Sequence, residues 1–443
     1  MRLKHSSYGD KIMLDQIVKT LSWIREKSFF IVVQRTFVML MPIATIGAFF
    51  QVLKNGIFSP DSLIYNIFNF DSVMSDQFWN IGNAVSTGMV RVTLGMFGIY
   101  VAYFAAVQTA RLYRKDATMA GVAAVIVITF CAFLSGADSE KEIQALIYSR
   151  VLNINGILFA IIIGYFVGQI FHFFGKDHVH IKNENYNTIR HRAWNTFIPT
   201  LISIVGGLIL GLVIYYFKIK LMDSLYLKGL ISSLHNSNDL KVIVPVTILA
   251  TLLWWAGIGY PLQSMITTSN SAAAMANMNA ALRHGSASVP YKYLGSSLVQ
   301  AYGWMGNACI ALSLIVVILL FTHEKDLEKI AKMNIFQVAF GSTQGLTIGL
   351  PIILNPLYLL PVVFIPAINE LIAAAAISMK IIVPSVYPVL RGTPGILISF
   401  FGSNGNWSCF IFTILLFILD ILILLPAIVI GQRINLELIK HGK

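Results

Sequence analysis

The chain has 443 residues, 56% hydrophobic and 12% charged, with a mean hydropathy of +0.73 and a formal net charge of +12. A soluble domain carries about 25% charged residues, so half that density between long apolar runs excludes a water-soluble enzyme and indicates an all-α polytopic membrane protein. The basic residues sit in short loops, where they set membrane orientation rather than bind nucleic acid.

Residues 1–27 are polar and mixed in charge, without the short apolar core and small-residue cleavage site of a signal peptide. Arg2, Lys4, Lys11, Lys19, Arg25 and Lys27 place this segment in the cytoplasm. About ten runs then reach the ~20 residues needed to cross a bilayer. They lie near 28–53, 85–110, 118–136, 154–174, 195–217, 242–262, 294–321, 346–378, 381–402 and 408–431. Charge alternates across the first five. Asp61, Asp71 and Asp76 predict an external loop; Arg111, Arg114 and Lys115 return to the inside. Asp138, Glu140 and Glu142 are again external, and Lys176, Lys182, Arg190 and Arg192 internal. Residues 28–217 therefore read as a regular scaffold or oligomer interface. Gly156, Gly164, Gly168, Gly206, Gly207 and Gly211 permit close helix packing within it. Residues 218–241, with His235, Asn236, Asn238 and Asp239, read as an amphipathic linker along the membrane surface.

Residues 242–443 are less regular. The charged loop at 322–332 and the tail with Arg433, Lys440, His441 and Lys443 both look cytoplasmic. Ten full crossings cannot place both inside, so one or more segments enter and leave by the same face. Two regions suit re-entrant hairpins. The tract from Gln263 to Ser288 is too polar for a lipid-facing span and too apolar for an ordinary loop. The stretch 341–369 is apolar but carries Gly345, Gly349, Pro351, Pro356, Pro361 and Pro366, with Thr343, Gln344, Thr347 and Asn355 among them. Non-helical backbone at membrane depth survives only where protein or a water-filled cavity covers it, and transporters bind substrates at such broken helices. This stretch is the first candidate binding site.

Several motifs resemble the membrane (IIC) component of bacterial sugar phosphotransferase systems, in the lactose/cellobiose/diacetylchitobiose group. They are Arg35 followed by Met41-Pro42, Tyr113-Arg114-Lys115-Asp116 followed by Ala120-Gly121, and Ile198-Pro199. The most specific is Gly349-Leu350-Pro351-Ile352-Ile353-Leu354-Asn355-Pro356, continued by Ile365-Pro366, Asn369 and Thr393-Pro394. The resemblance runs over nearly the whole chain. It implies a homodimer with an N-terminal interface domain and a C-terminal transport domain of spans and hairpins. It implies a sugar, a disaccharide or related glycoside, carried inward and phosphorylated by a separate IIB subunit that bears the phosphocysteine and is fed by IIA. Two departures stand out. The family's Asn-Glu-Pro is here Thr343, Gln344 and Gly345, and its Gly-Ile-His-Gly is here Gly257-Ile258 followed by Gly259 and Tyr260. The Glu and His of the family grip the hydroxyl that accepts phosphate. An amide donates and accepts hydrogen bonds but takes no proton. A degenerate IIC-like sensor, receptor or uncoupled facilitator is therefore the alternative reading.

The candidate substrate-binding set is Gln344, Thr343, Asn355, Gly259, Tyr260, Trp255, Glu370 and Arg391. Gln344 either contacts a sugar hydroxyl or satisfies broken backbone. Asn355 either caps the second hairpin arm or reaches a ligand. Trp254 and Trp255 stack on a sugar ring, or anchor and pack. Glu370 is an intramembrane carboxylate, functional by default, or a helix N-terminal acid at the surface. It is the acid that a third class, an ion-driven secondary transporter, would need. Arg391 contacts a phosphate or sugar acid, or is a loop charge. Cys131, Cys309 and Cys409 have no ligand or disulfide spacing. His178, His180 and His191 lack an acidic cluster, and there is no Walker-type loop, so neither metal, nucleotide nor other cofactor is expected.

Overall fold

A computed structural model describes residues 8–136, 151–177, 186–222, 237–259, 271–322 and 324–440. Those residues are helical apart from loops and one isolated bridge between Ser62 and Arg391. The first half comprises α1 (Tyr8–Arg25), α2 (Ser28–Gly56), the short α3 (Leu63–Ile67) and α4 (Phe70–Val73), and α5 (Asp76–Val90). A π turn at Arg91–Gly95 joins α5 to α6 (Phe97–Leu112); α7 (Ala117–Gly136), α8 (Ile157–Phe174) and α9 (Tyr186–Met222) follow. Seven helical stretches are long and apolar enough to cross a membrane, and five of them, in this half, match the first five expected runs. Their core contains Phe37, Leu40, Phe97, Ile128, Ile161 and Phe171. α8 meets α6 closely because Gly164 has no side chain: a Cβ there would lie 2.5 Å from the Ala102 carbonyl oxygen.

The loops assigned to one face by their charge do meet. Asp116 caps α7 through Met119 N–H at 3.1 Å and pairs with Arg192 of α9. Lys115 donates to Asp177 at 2.6 Å, which holds that carboxyl below its ordinary range. The opposing acidic loop (Asp138, Glu140, Glu142), Lys182, His178, His180 and most of the 218–241 linker lie outside the described residues.

The second half is built from broken pieces. It contains α10 (Leu240–Trp255), α11 (Ala272–His284), α12 (Gly295–Leu298), a π turn at Val299–Gly303 and α13 (Cys309–Phe321). Then come α14 (Lys325–Ala339), α15 (Gln344–Gly349), α16 (Pro356–Ser378), α17 (Ile398–Gly402) and α18 (Trp407–Lys440). Only α16 and α18 are long apolar helices here; α10 and α13 are shorter. The expected run 294–321 is broken at 304–308, where Met305, Gly306 and Asn307 all have positive φ. The expected span 381–402 is not one. Pro384, Pro388 and Pro394 each remove a backbone donor and restrict the residue before them. The segment folds back instead, Val386 and Tyr387 donating to the Gly402 carbonyl at 2.7 and 2.9 Å.

The hairpin of 344–355 joins the two halves. Ile348, Ile353 and Leu354 pack into the first core, while Leu346, Leu350 and Ile352 pack into the second beside Tyr302, Leu314 and Val362. Gly345 permits this contact: a Cβ would lie 2.9 Å from Thr45 Cα of α2.

Candidate functional site

Two breaks meet in the second half. The turn before α15 touches the break before α13, where a Cβ on Gly341 would sit 2.9 Å from the Gly306 carbonyl oxygen. Three neighbouring cavities that share wall residues surround this point. A narrow one is walled by Trp254, Trp304, Asn307, Thr343 and Thr347. Trp304 and Asn307 also wall a second, of about 210 Å³, with Gln300, Arg391 and Thr393. Gln300 leads on to a third, of about 290 Å³, with Ser296, Ser385 and Tyr387. Small-molecule sites have volumes of about 300–1,000 Å³ and are mostly apolar with a few placed polar groups. Here two indoles offer flat apolar faces, and amides and hydroxyls offer donors and acceptors. Among the described residues, Arg391 is the one ionised side chain in the three linings, and no carboxylate or imidazole lies among them.

The residues expected from sequence divide between wall and frame. Thr343 lines the narrow cavity, and Arg391 the second. Arg391 is held by its backbone, which accepts from Leu63 N–H at 2.9 Å and donates to the Asp61 carbonyl at 3.0 Å. Gln344 turns toward α2: its Oε1 lies 2.9 Å from Ser342 Oγ, which is itself 3.0 Å from Gln51 Oε1. Asn355 caps α16, accepting from Leu357 N–H at 3.2 Å while its amide donates to the Pro351 carbonyl at 3.0 Å. Trp255 clasps the same turn: its Nε1 donates to the Asn355 carbonyl at 3.0 Å, and its own carbonyl accepts from Leu354 N–H at 2.8 Å. Trp254, not Trp255, faces the cavity. Glu370 is fully buried in the middle of α16, which overturns the surface, helix-start alternative. Tyr260 lies outside the described residues.

Gly259 has φ +79°, and a Cβ there would fall 2.6 Å from Asn155 Cβ. A side chain at this position is strained by both backbone and neighbour. Gly259→His is expected to cost about 1–3 kcal/mol of stability, read as a lower unfolding temperature in detergent, rather than to install a usable imidazole.

Gln300, Trp304 and Asn307 were missed by sequence reasoning. Gly303 and Gly306 inside the run 294–321 were the available signal. Without a proline among them they read as small residues of a span. Among the described residues no group of three His, Cys, Asp or Glu side chains is placed to hold a metal.

The family model for "Phosphotransferase system, EIIC" matches residues 34–366. The cellobiose-specific EIIC component of Lactococcus lactis subsp. lactis is 25% identical over 136 residues, an alignment covering 31% of this chain and 28% of that relative. The oligo-beta-mannoside-specific EIIC component of Bacillus subtilis is 20% identical over 372 residues, covering 80% of this chain and 78% of the relative. The lichenan permease IIC component of the same organism is 20% identical over 397 residues, covering 84% and 82%. A crystal structure of the transporter ChbC, the IIC component from the N,N'-diacetylchitobiose-specific phosphotransferase system, is 19% identical, covers 97% of this chain and 99% of its own, and superposes with a TM-score of 0.44.

Proposed function

We propose that this chain, which belongs to the phosphotransferase-system EIIC family, is the sugar-permease component of such a system and carries a disaccharide or related glycoside across the cytoplasmic membrane. The observation that carries this reading is the set of neighbouring cavities, sharing Trp304 and Asn307, where the 304–308 break meets the turn before α15. The faces of Trp254 and Trp304 suit the C–H faces of a sugar ring. Asn307, Gln300 and Thr343 suit its hydroxyls, each offering both donor and acceptor capacity. The substrates printed for the relatives, cellobiose, oligo-β-mannosides and lichenan, make β-linked glycosides the first class to try.

In this reading residues 28–217 form the scaffold and homodimer interface, residues 242–443 carry the sugar, and both termini are cytoplasmic. Separate IIA and IIB subunits supply the phosphoryl group. The sulfur–phosphorus bond of a IIB phosphocysteine breaks as the sugar hydroxyl forms the new oxygen–phosphorus bond; the cysteine leaves as a thiolate and the hydroxyl proton passes to water. With neither carboxylate nor imidazole in the described linings, this chain contributes positioning rather than a base.

Calorimetric titration of the purified protein with cellobiose and β-mannobiose tests the site. Trp304→Ala is expected to weaken binding about tenfold, equivalent to ~1.4 kcal/mol. Unchanged affinity in that variant would remove the cavity from consideration. Uptake into vesicles with phosphorylated IIB present then tests the coupling: phosphorylated sugar inside supports it, and only unmodified sugar marks an uncoupled facilitator.

A further inference from the structure

Two carboxyl groups lie in the interior of the second half without a cation. Glu370 of α16 and Asp420 of α18 are both 0% exposed. The two oxygens of Asp420 accept from Asn369 Nδ2 at 3.0 and 3.2 Å, and the Cys309 thiol of α13 lies 3.0 Å from Asp420 Oδ2. Asn369 and Cys309 are themselves buried. Among the described residues, Asn369 Oδ1 has no hydrogen-bond partner, and the carboxyl oxygens of Glu370 have none beyond the nearby Thr247 hydroxyl.

Among the described residues the surroundings supply no counter-charge at either acid; α1, which packs against α16 and α18, brings Arg25 only to the Tyr358 end of α16. α10 presents the Thr247 hydroxyl to Glu370. The π turn presents Gly303, whose missing side chain leaves room for Glu370 Oε1. It also presents the buried Tyr302, whose ring packs edge-on against Phe412 of α18. α13 presents Cys309, and α18 adds Cys409 two turns and more before Asp420. On α16 itself Tyr358 is about three turns away. The cations of these helices are remote: Lys241 is exposed at the start of α10, Lys380 is exposed beyond the end of α16, and Arg433 is more than three turns beyond Asp420. Neither acid forms an ion pair among the described residues.

An unpaired carboxylate in such an interior costs several kcal/mol, and acids inside membrane segments mark ion or proton paths. None of the cavities described above is lined by Glu370, Asn369 or Asp420. The sugar cavity is nonetheless adjacent. Cys309, whose thiol reaches Asp420, lines the narrow cavity, as does Pro366, one helical turn before Glu370.

We propose that Glu370, next to Asn369 in the chain, and Asp420, bonded to the Asn369 amide, are proton-binding groups whose protonation is coupled to sugar binding and movement of the second half. A proton from water converts a carboxylate to a carboxylic acid, whose new O–H then donates: from Glu370 to the Thr247 hydroxyl, and from Asp420 to Asn369 Oδ1 once the amide turns over. Release to water reverses the step when the helices part. The coupling to sugar rests on the permease reading; the proton site does not.

Two measurements on the full chain separate these claims. Infrared difference spectra recorded across a pH titration need no sugar. A protonated-carboxyl C=O band is expected to titrate in the wild type and to lose intensity in Glu370→Gln and in Asp420→Asn. A titrating band untouched by either substitution, or no such band, overturns the site. Glu370→Gln secures the result if Asp420→Asn fails to fold, because the amide keeps the shape of the acid and can still meet the Thr247 hydroxyl. The second measurement is cellobiose affinity against pH. About a tenfold change per pH unit is the limit for one coupled proton, and a several-fold change is expected in the wild type, flattened in both variants. Titration of the band with pH-independent cellobiose binding overturns the coupling alone. Titration of the band with no cellobiose binding at all counts against the permease reading and leaves the proton site standing.

Discussion

Gly395→Ala is expected to cost about 3 kcal/mol or more of stability and to abolish recovery of monodisperse protein. Gly395 opens the short 3-10 turn Gly395–Leu397 and rests directly on the 304–308 break. A Cβ at this position would fall within the envelope of the Met305 carbonyl oxygen, 2.8 Å from Ala308 Cβ and 3.1 Å from the Met305 carbonyl carbon. Most of these atoms are backbone, so no flexible side chain can yield. Overpacking usually costs about 1–3 kcal/mol, and a clash with fixed backbone belongs at or above the top of that range. The damage falls where function is proposed, because Met305 stands between Trp304 and Asn307, both cavity residues. Gly88→Ala is the control. It lies inside α5 with nothing within 4 Å of an added Cβ. Removing a helical glycine there should be neutral or stabilise by up to about 1 kcal/mol. Thermal unfolding followed by size-exclusion recovery measures both.

The first half was legible because each crossing is one uninterrupted apolar run, and apolar length is what hydropathy reads. The second half was legible only where proline did the breaking. Pro351 and Pro356 announced the hairpin of 344–355, and the family motif around them lies in that turn. Residues 381–402 misled for the opposite reason: their apolar content resembles a span although three prolines forbid one. The break at 304–308 was concealed because glycine weakens a helix far less than proline does.

The site followed the same division. Thr343 and Arg391 were found because each sits in an evident break. Gln300, Trp304 and Asn307 reach the cavity through a contact between residues far apart in sequence, Gly306 against Gly341, which no local pattern encodes. Gln344, expected in this break, and Trp255, expected before the other one, both face the framework of the hairpin, bonding toward Ser342 and Asn355. Glu370 was correctly singled out as an unexplained charge. Its lack, among the described residues, of any partner beyond the Thr247 hydroxyl, and the nearness of Asn369 to Asp420, depend on how α16 packs against α10 and α18.

Asn355→Ala is expected to destabilise the chain by about 2–4 kcal/mol. The side chain is 7% exposed and fills both of its hydrogen-bonding roles within the turn. Losing the cap on Leu357 N–H costs about 1 kcal/mol, up to about 2. Leaving the Pro351 carbonyl without its donor adds about 1–3 kcal/mol. The effect reaches beyond one helix end. The turn that Asn355 closes carries Ile353 and Leu354 into the first core and Ile352 into the second. Asn355→Asp divides the two roles. It keeps an acceptor for Leu357 N–H, removes the donor to Pro351, and sets a carboxylate against that carbonyl. A ligand-binding Asn355 predicts that alanine weakens cellobiose affinity while the unfolding midpoint stays put. The observed geometry predicts the reverse order of effects: both variants are less stable than the wild type, alanine by the full ~2–4 kcal/mol, while any surviving folded protein binds sugar with affinity near that of the wild type. A stable Asn355→Ala protein with lost affinity would move this residue from the frame of the hairpin to the wall of the site.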